Sequence, residues 1–240
     1  MLARCVADSG LDLGLPPAGA VYTEATVFHL QRGSCYLIWG LTVHEGSLDA
    51  LVWDNTGRPN WLPIGLFDIP EQPIPTHWEF RIVRTASLQA QGYRAILGYP
   101  QLVRDLGHLD GLADRVPKDL DDFFTQVAKY ALDNGLRSFV ASADIDRPIQ
   151  FSELLQAVGA QLQRTTEDPA LITPTAKTIQ LLLEQGTLIV GDLVSQEDGS
   201  VSVDPWPLSP SRISERIQRD WLELDEPKEI NSICWLELSS

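Results

Sequence analysis

Through the first hundred residues, apolar positions recur in short runs broken by turn residues, which predicts strands rather than helices. Cys35 to Val43 (CYLIWGLTV) is apolar on both faces and predicts a central strand. Leu48, Ala50, Leu51 and Trp53 form a second run, Asp54 to Gly57 supply turn chemistry, and Trp61, Leu62, Ile64, Leu66 and Phe67 resume the pattern. Leu48 to Phe67 therefore predicts a β-hairpin, with Pro59 at the connector or a strand edge. Pro70, Pro73 and Pro75 exclude helix and central strand after it. Trp78, Phe80 and Ile82 then alternate with Glu79, Arg81 and Val83, the pattern of a half-buried strand. Gln91-Gly92 marks a turn, and Tyr93 to Tyr99 adds another strand. The glycines and prolines of residues 1–20 predict a loosely ordered start, and Val21 to Leu30 holds β-formers without clean alternation.

After Pro100 the period changes. Leu102, Val103 and Leu106 suggest one helical turn, and Asp119 to Leu132 places Leu120, Phe123, Phe124, Val127, Ala128 and Ala131 on one helical face. Asp119, Asp121 and Asp122 suit the positive N-terminus of that helix, and Asn134-Gly135 gives a C-cap signal. Leu136 to Arg147 reads either as a short strand at Phe139 and Val140 or as a linker, and the domain boundary is placed there. Phe151 to Leu162 predicts a helix with Ser152 as its cap, and Thr173-Pro174 opens another that Gly186 stops. A strand at Thr187 to Val194, a turn at Asp198-Gly199, a helix from Ser209-Pro210 and a strand at Ile233 to Leu238 complete the chain. The expected class is α+β: residues 1–135 form a mostly antiparallel sheet with a closing helix. Residues 136–240 form a smaller, winged-helix-like module with a short hairpin.

Charge narrows the function. The chain carries 33 acidic and 18 basic residues, for a net charge of −15, and no basic tract. Phosphate neutralisation by Lys and Arg dominates nucleic-acid affinity, so no nucleic-acid partner is expected, and anionic membranes are disfavoured likewise. The would-be recognition helix, Pro174 to Gln185, has Lys177 as its sole base. A basic protein partner would be steered in quickly, although the same acidity also serves solubility. No apolar run is long enough for a membrane span, and the N-terminus is a poor secretory signal, so a cytoplasmic address is expected.

Candidate chemistry is sparse. Cys5, Cys35 and Cys234 are scattered and odd in number, which fits neither a disulfide framework nor a metal site, and Cys35 and Cys234 read as core residues. No cofactor is implied. His108 stands between Asp105 and Asp110, so a hydrolase pairing it with either carboxylate is one reading, and a turn whose Asp side chains cap backbone amides is the other. Among seven tryptophans, Trp61 and Trp206 lie in or beside irregular, proline-flanked segments, where an exposed ring could anchor a partner. Asp119, Asp121 and Asp122, and Asp225, Glu226 and Glu229, are the candidate acidic patches.

Two sets of residues carry a resemblance. Asp54 to Pro63 (DNTGRPNWLP), with Trp78-Glu79-Phe80 and Leu97 to Val103 (LGYPQLV), resembles one class of small bacterial orphan proteins. Thr187 to Leu193 (TLIVGDL), with Trp206, Trp221 and Cys234-Trp235-Leu236, resembles another. Both kinds are similar in size and character to immunity proteins of polymorphic toxin systems. The resemblance implies a non-enzymatic protein that occludes a toxin domain, and it carries over no functional residue. A winged-helix regulator acting through protein contacts stands as a further alternative.

Overall fold

This computed structural model describes residues 1–16, 22–86, 89, 92–143, 147–196, 199–224 and 227–239. The chain is α+β and packs as two units, Met1–Asp121 and Asp122–Ser240. The division falls inside the long helix after Pro117, upstream of the Gly135–Leu136 boundary that the sequence suggested.

The first unit is built on strands β1 (Leu2–Cys5), β2 (Cys35–His44), β3 (Ser47–Trp53), β4 (Pro59–Pro63), β5 (Phe67–Asp68), β6 (Glu79–Ile82) and β7 (Tyr93–Gly98). Neighbours run in the order β4-β3-β2-β1-β5, and every described pairing is antiparallel. The expected hairpin is present, with Asp49↔Pro63 through Trp53↔Pro59 in register. Strand β2 is the axis: along one edge it pairs first with β1 (Leu2↔Leu37) and then with β7 (Gly40↔Gly98), so the sheet forks there. Among the described strands, β6 pairs with β7. The start of the chain is better ordered than its glycines and prolines implied, because Ala3 and Cys5 are buried and bring β1 into the sheet. Val21 itself lies outside the described residues, and Val27 makes only an isolated bridge to Ser9.

One face of this sheet closes on itself around Ala3, Cys5, Phe28, Tyr36, Ile38, Ala50, Val52, Leu62, Leu66 and Phe67. The other carries helices α1 (Pro100–Arg104) and α2 (Leu106–Ala113). Gly40 and Gly98 stand opposite each other in the ladder, and a Cβ on either would run into a δ-methyl of Leu102. That paired absence of side chains is the seat of α1 on the sheet. Asp105 accepts hydrogen bonds from the backbone N–H of Gly107 (3.0 Å) and His108 (3.3 Å), so it caps α2 as the turn-capping reading required.

Helix α3 (Pro117–Ala131) runs through the boundary into the second unit. Gly135, at φ 140°, breaks the path at 132–136, and the chain continues as α4 (Arg137–Ser142), neither strand nor simple linker. Beyond it come β8 (Ile149–Gln150), α5 (Phe151–Leu162), α6 (Ile172–Glu184), β9 (Leu188–Ser195), β10 (Val201–Pro205), α7 (Pro210–Leu222) and β11 (Trp235–Leu238). The sheet order is β10-β9-β11-β8, and α5, α6 and the β9–β10 hairpin give the expected helix–helix–hairpin succession. Ser209 and Pro210 open α7 as read. Helix α5 instead starts with a Gln150/Glu153 capping box rather than Ser152, and α6 begins at Ile172, ahead of Pro174. Phe151, Leu155, Val158, Ile179, Ile217 and Leu236 are fully buried at its centre. Among the described residues no helix is long and apolar enough to cross a membrane.

Candidate functional site

The register of the first sheet defines an apolar surface on the side away from α1. Phe80 stands opposite Leu97, which stands opposite Leu41, and Ile82 stands opposite Ala95, which stands opposite Val43. Val43 in turn faces Leu48. Directly opposed residues share a face. Leu41, Val43, Ala95 and Leu97 are half-buried, whereas Phe80 is 64% exposed, Ile82 56% and Leu48 40%. Leu41 and Trp78 pack against the closed core, so the open surface is its continuation.

Strand β6 is thus reversed with respect to its amphipathic pattern. The apolar positions Phe80 and Ile82 point to solvent, and the charged positions Glu79 and Arg81 turn toward α1. A guanidinium nitrogen of Arg81 donates to the carbonyls of Val103 (3.3 Å) and Arg104 (3.2 Å), and Arg104 Nε donates to Glu79 (2.9 Å). These bonds satisfy the last carbonyls of a short helix that has few other partners. They also fix the strand so that its apolar side has nowhere to go but outward. Contiguous apolar patches of sufficient size are a common feature of interaction surfaces.

The residues singled out from sequence are placed differently from one another. Trp206 is a core residue, not an exposed anchor: it is 6% exposed, its backbone N–H bonds to Val190 O, and Arg216 stacks over its ring at 3.6 Å. The prolines on either side of it shape a turn against β9 rather than leaving the ring in water. Trp61 is half-buried in β4. Asp119 is buried and belongs to no surface patch, Asp121 is exposed, and Asp122 is half-buried in the second unit. Asp225 and Glu226 lie outside the described residues, as does the side chain of Glu229. Cys35 is exposed, against expectation, because it sits at the outer end of β2; Cys234 is buried, and burial pushes its thiol up.

His108 pairs with neither Asp105 nor Asp110. Its Nδ1 lies 2.7 Å from Asp119 Oδ1 and its Nε2 lies 2.7 Å from the Tyr99 hydroxyl. A carboxylate only accepts, so Nδ1 carries a proton, and in the neutral imidazole Nε2 accepts from Tyr99. Asp105 is occupied with its helix cap, and burial raises the Asp110 carboxyl, with Asp114 adding to the effect. The His108 side chain is 0% exposed and Tyr99 is 3% exposed. Gly111 makes the arrangement possible, since a Cβ there would overlap the Asp119 carboxylate. This set ties the end of β7, helix α2 and the first turn of α3 together. Sequence reasoning missed it because Tyr99 and Asp119 are distant from His108 along the chain. Gly111, three residues after His108, was a local trace of it.

Neither the family models, the curated proteins nor the solved structures contain a match to this chain.

Proposed function

We propose that this protein is a non-catalytic, cytoplasmic binding protein that holds a partner protein on the open face of its first sheet, and that the partner is a basic toxin domain that it neutralises by occlusion. The reversed strand β6 carries the proposal: Phe80 and Ile82 are exposed on an edge strand whose polar side is bonded to α1. Fully burying such side chains in a complex is worth about 1.5–3 kcal/mol each. That is enough for the pair to act as the centre of an interface. The net charge of −15 adds long-range attraction for a basic surface. The resemblance to immunity proteins supplies the class of partner. His108 gives no support to the hydrolase alternative in its expected form, since its ring nitrogens face Tyr99 and Asp119 rather than Asp105 or Asp110.

The test is co-expression with the product of the adjacent open reading frame. Under the proposal that product is toxic alone, is rescued by this protein, and is no longer bound or rescued when Phe80→Asp and Ile82→Asp are combined. Failure of the parent protein to protect, or full protection by the double variant, overturns it.

A further inference from the structure

A second surface, independent of the open sheet face, points to a small molecule. Most arginines of this acidic chain are tied to carboxylates, as Arg4 is to Asp68, Arg147 to Glu153 and Arg212 to Glu215. Arg58 and Arg115 are exceptions: both are exposed, and neither makes an ion pair or hydrogen bond through its side chain with any described residue. They are brought to the same place, a cleft of about 330 Å³ beside the β3–β4 turn. Arg58 comes from that turn and Arg115 from the second residue past the end of α2. The cleft's own acid, Asp54, is bonded on its other sides. It is 2% exposed and accepts from Thr56 N (2.9 Å), Thr56 Oγ1 (2.6 Å) and Asn60 Nδ2 (2.7 Å).

Three aromatic side chains, Tyr22, Phe28 and Trp61, share the wall with polar and aliphatic residues. The Tyr22 hydroxyl donates to Trp61 O (2.9 Å), and Tyr22 packs edge-on against Phe28 at 5.2 Å. Trp61 lines the cleft, and its buried indole N–H has no hydrogen-bond partner among the described residues. Arg115 adopts φ 60°, the left-handed position that ends many helices and that glycine fills at least cost. A long cationic residue is kept there instead. Guanidinia and aromatic rings lining one cleft are the chemistry that grips an anionic group attached to a planar body. A cleft of this volume lies at the small end of the range that encloses metabolites.

We propose that this cleft binds a small anion carried on a planar ring, an aromatic carboxylate or a nucleoside monophosphate. Arg58 and Arg115 hold the anionic group and Tyr22 and Trp61 hold the ring. The test is calorimetric titration of the full chain with 4-hydroxybenzoate, AMP, GMP and inorganic phosphate. One ring-bearing anion saturates the protein, inorganic phosphate binds at least about tenfold more weakly, and the Arg58→Gln/Arg115→Gly variant loses about tenfold in affinity at an unchanged melting temperature. Whether the carboxylate or a nucleotide saturates decides which source the cleft serves. Should the double variant unfold, Arg58→Gln alone carries the comparison, because the Arg58 side chain is exposed and makes no ion pair or hydrogen bond with a described residue. Three results overturn the proposal: no saturation by any probe at about 5 mM, phosphate binding as tightly as the ring compounds, or a folded arginine variant that binds like the parent. None of these bears on capture of a protein by Phe80 and Ile82.

Discussion

At Asp49, burial in the sheet raises the carboxyl above the ordinary range, and the Ser47 hydroxyl 3.1 Å away pulls only partly the other way. An acid that holds its proton more tightly when folded contributes stability that is present at low pH and lost as pH rises through its folded value. Asp49→Asn therefore raises the urea midpoint at pH 7, and its advantage over the parent fades toward about pH 4; an equal advantage at both pH values would contradict the assignment. The same burial, with Asp110, Asp49 and Asp114 nearby, pushes the Tyr93 hydroxyl up to about 12. Gly111 gives a second residue-scale prediction. A methyl there displaces Asp119 from His108, and overpacking of this kind costs about 1–3 kcal/mol, read as a lowered denaturation midpoint. Trp206, being core, loses about 3–5 kcal/mol when cut to Ala.

Elements differ in how far the chain revealed them. The hairpin of β3 and β4, the central β2, helices α3, α5 and α7 and the β9–β10 hairpin were all legible, because hydrophobic period and turn residues agree in each. Strand β1 was not, since four residues among glycines and prolines carry too little pattern, and its pairing with β2 is a long-range event. Helix α4 was ambiguous because Asn134 and Gly135 leave helical geometry and the chain re-enters a helix at Arg137, two residues later. Strand β6 is the instructive case. Its alternation was correct, yet periodicity states only that two faces differ, and the bonds from Arg81 and Arg104 decide which face turns inward. Phe80→Ser should accordingly change folding stability by no more than about 0.5 kcal/mol in urea titration. Arg81→Met, which strips α1 of its caps, should cost more. The reverse ranking would mean that Phe80 is a core residue.

For the whole molecule, −15 is the property that acts at a distance. If a basic partner is captured as proposed, raising salt from about 50 to about 500 mM lowers its association rate by an order of magnitude or more, while dissociation, governed by the apolar contact, changes little. Stopped-flow and surface-plasmon measurements separate the two rates. A salt-insensitive association would remove charge from the mechanism and leave the apolar patch to account for recognition alone. The sequence displayed this charge in full, but it could not say that the acids nearest the fold's junctions, such as Asp119, are spent internally.

The reversed strand also separates two kinds of selection. If the proposed capture holds, side chains such as Phe80 and Ile82, which are exposed in the native fold, can drift to match a changing opponent without endangering the scaffold. Their neighbours Glu79 and Arg81 have no such freedom. A lineage locked in an arms race would keep the inner row and rewrite the outer one.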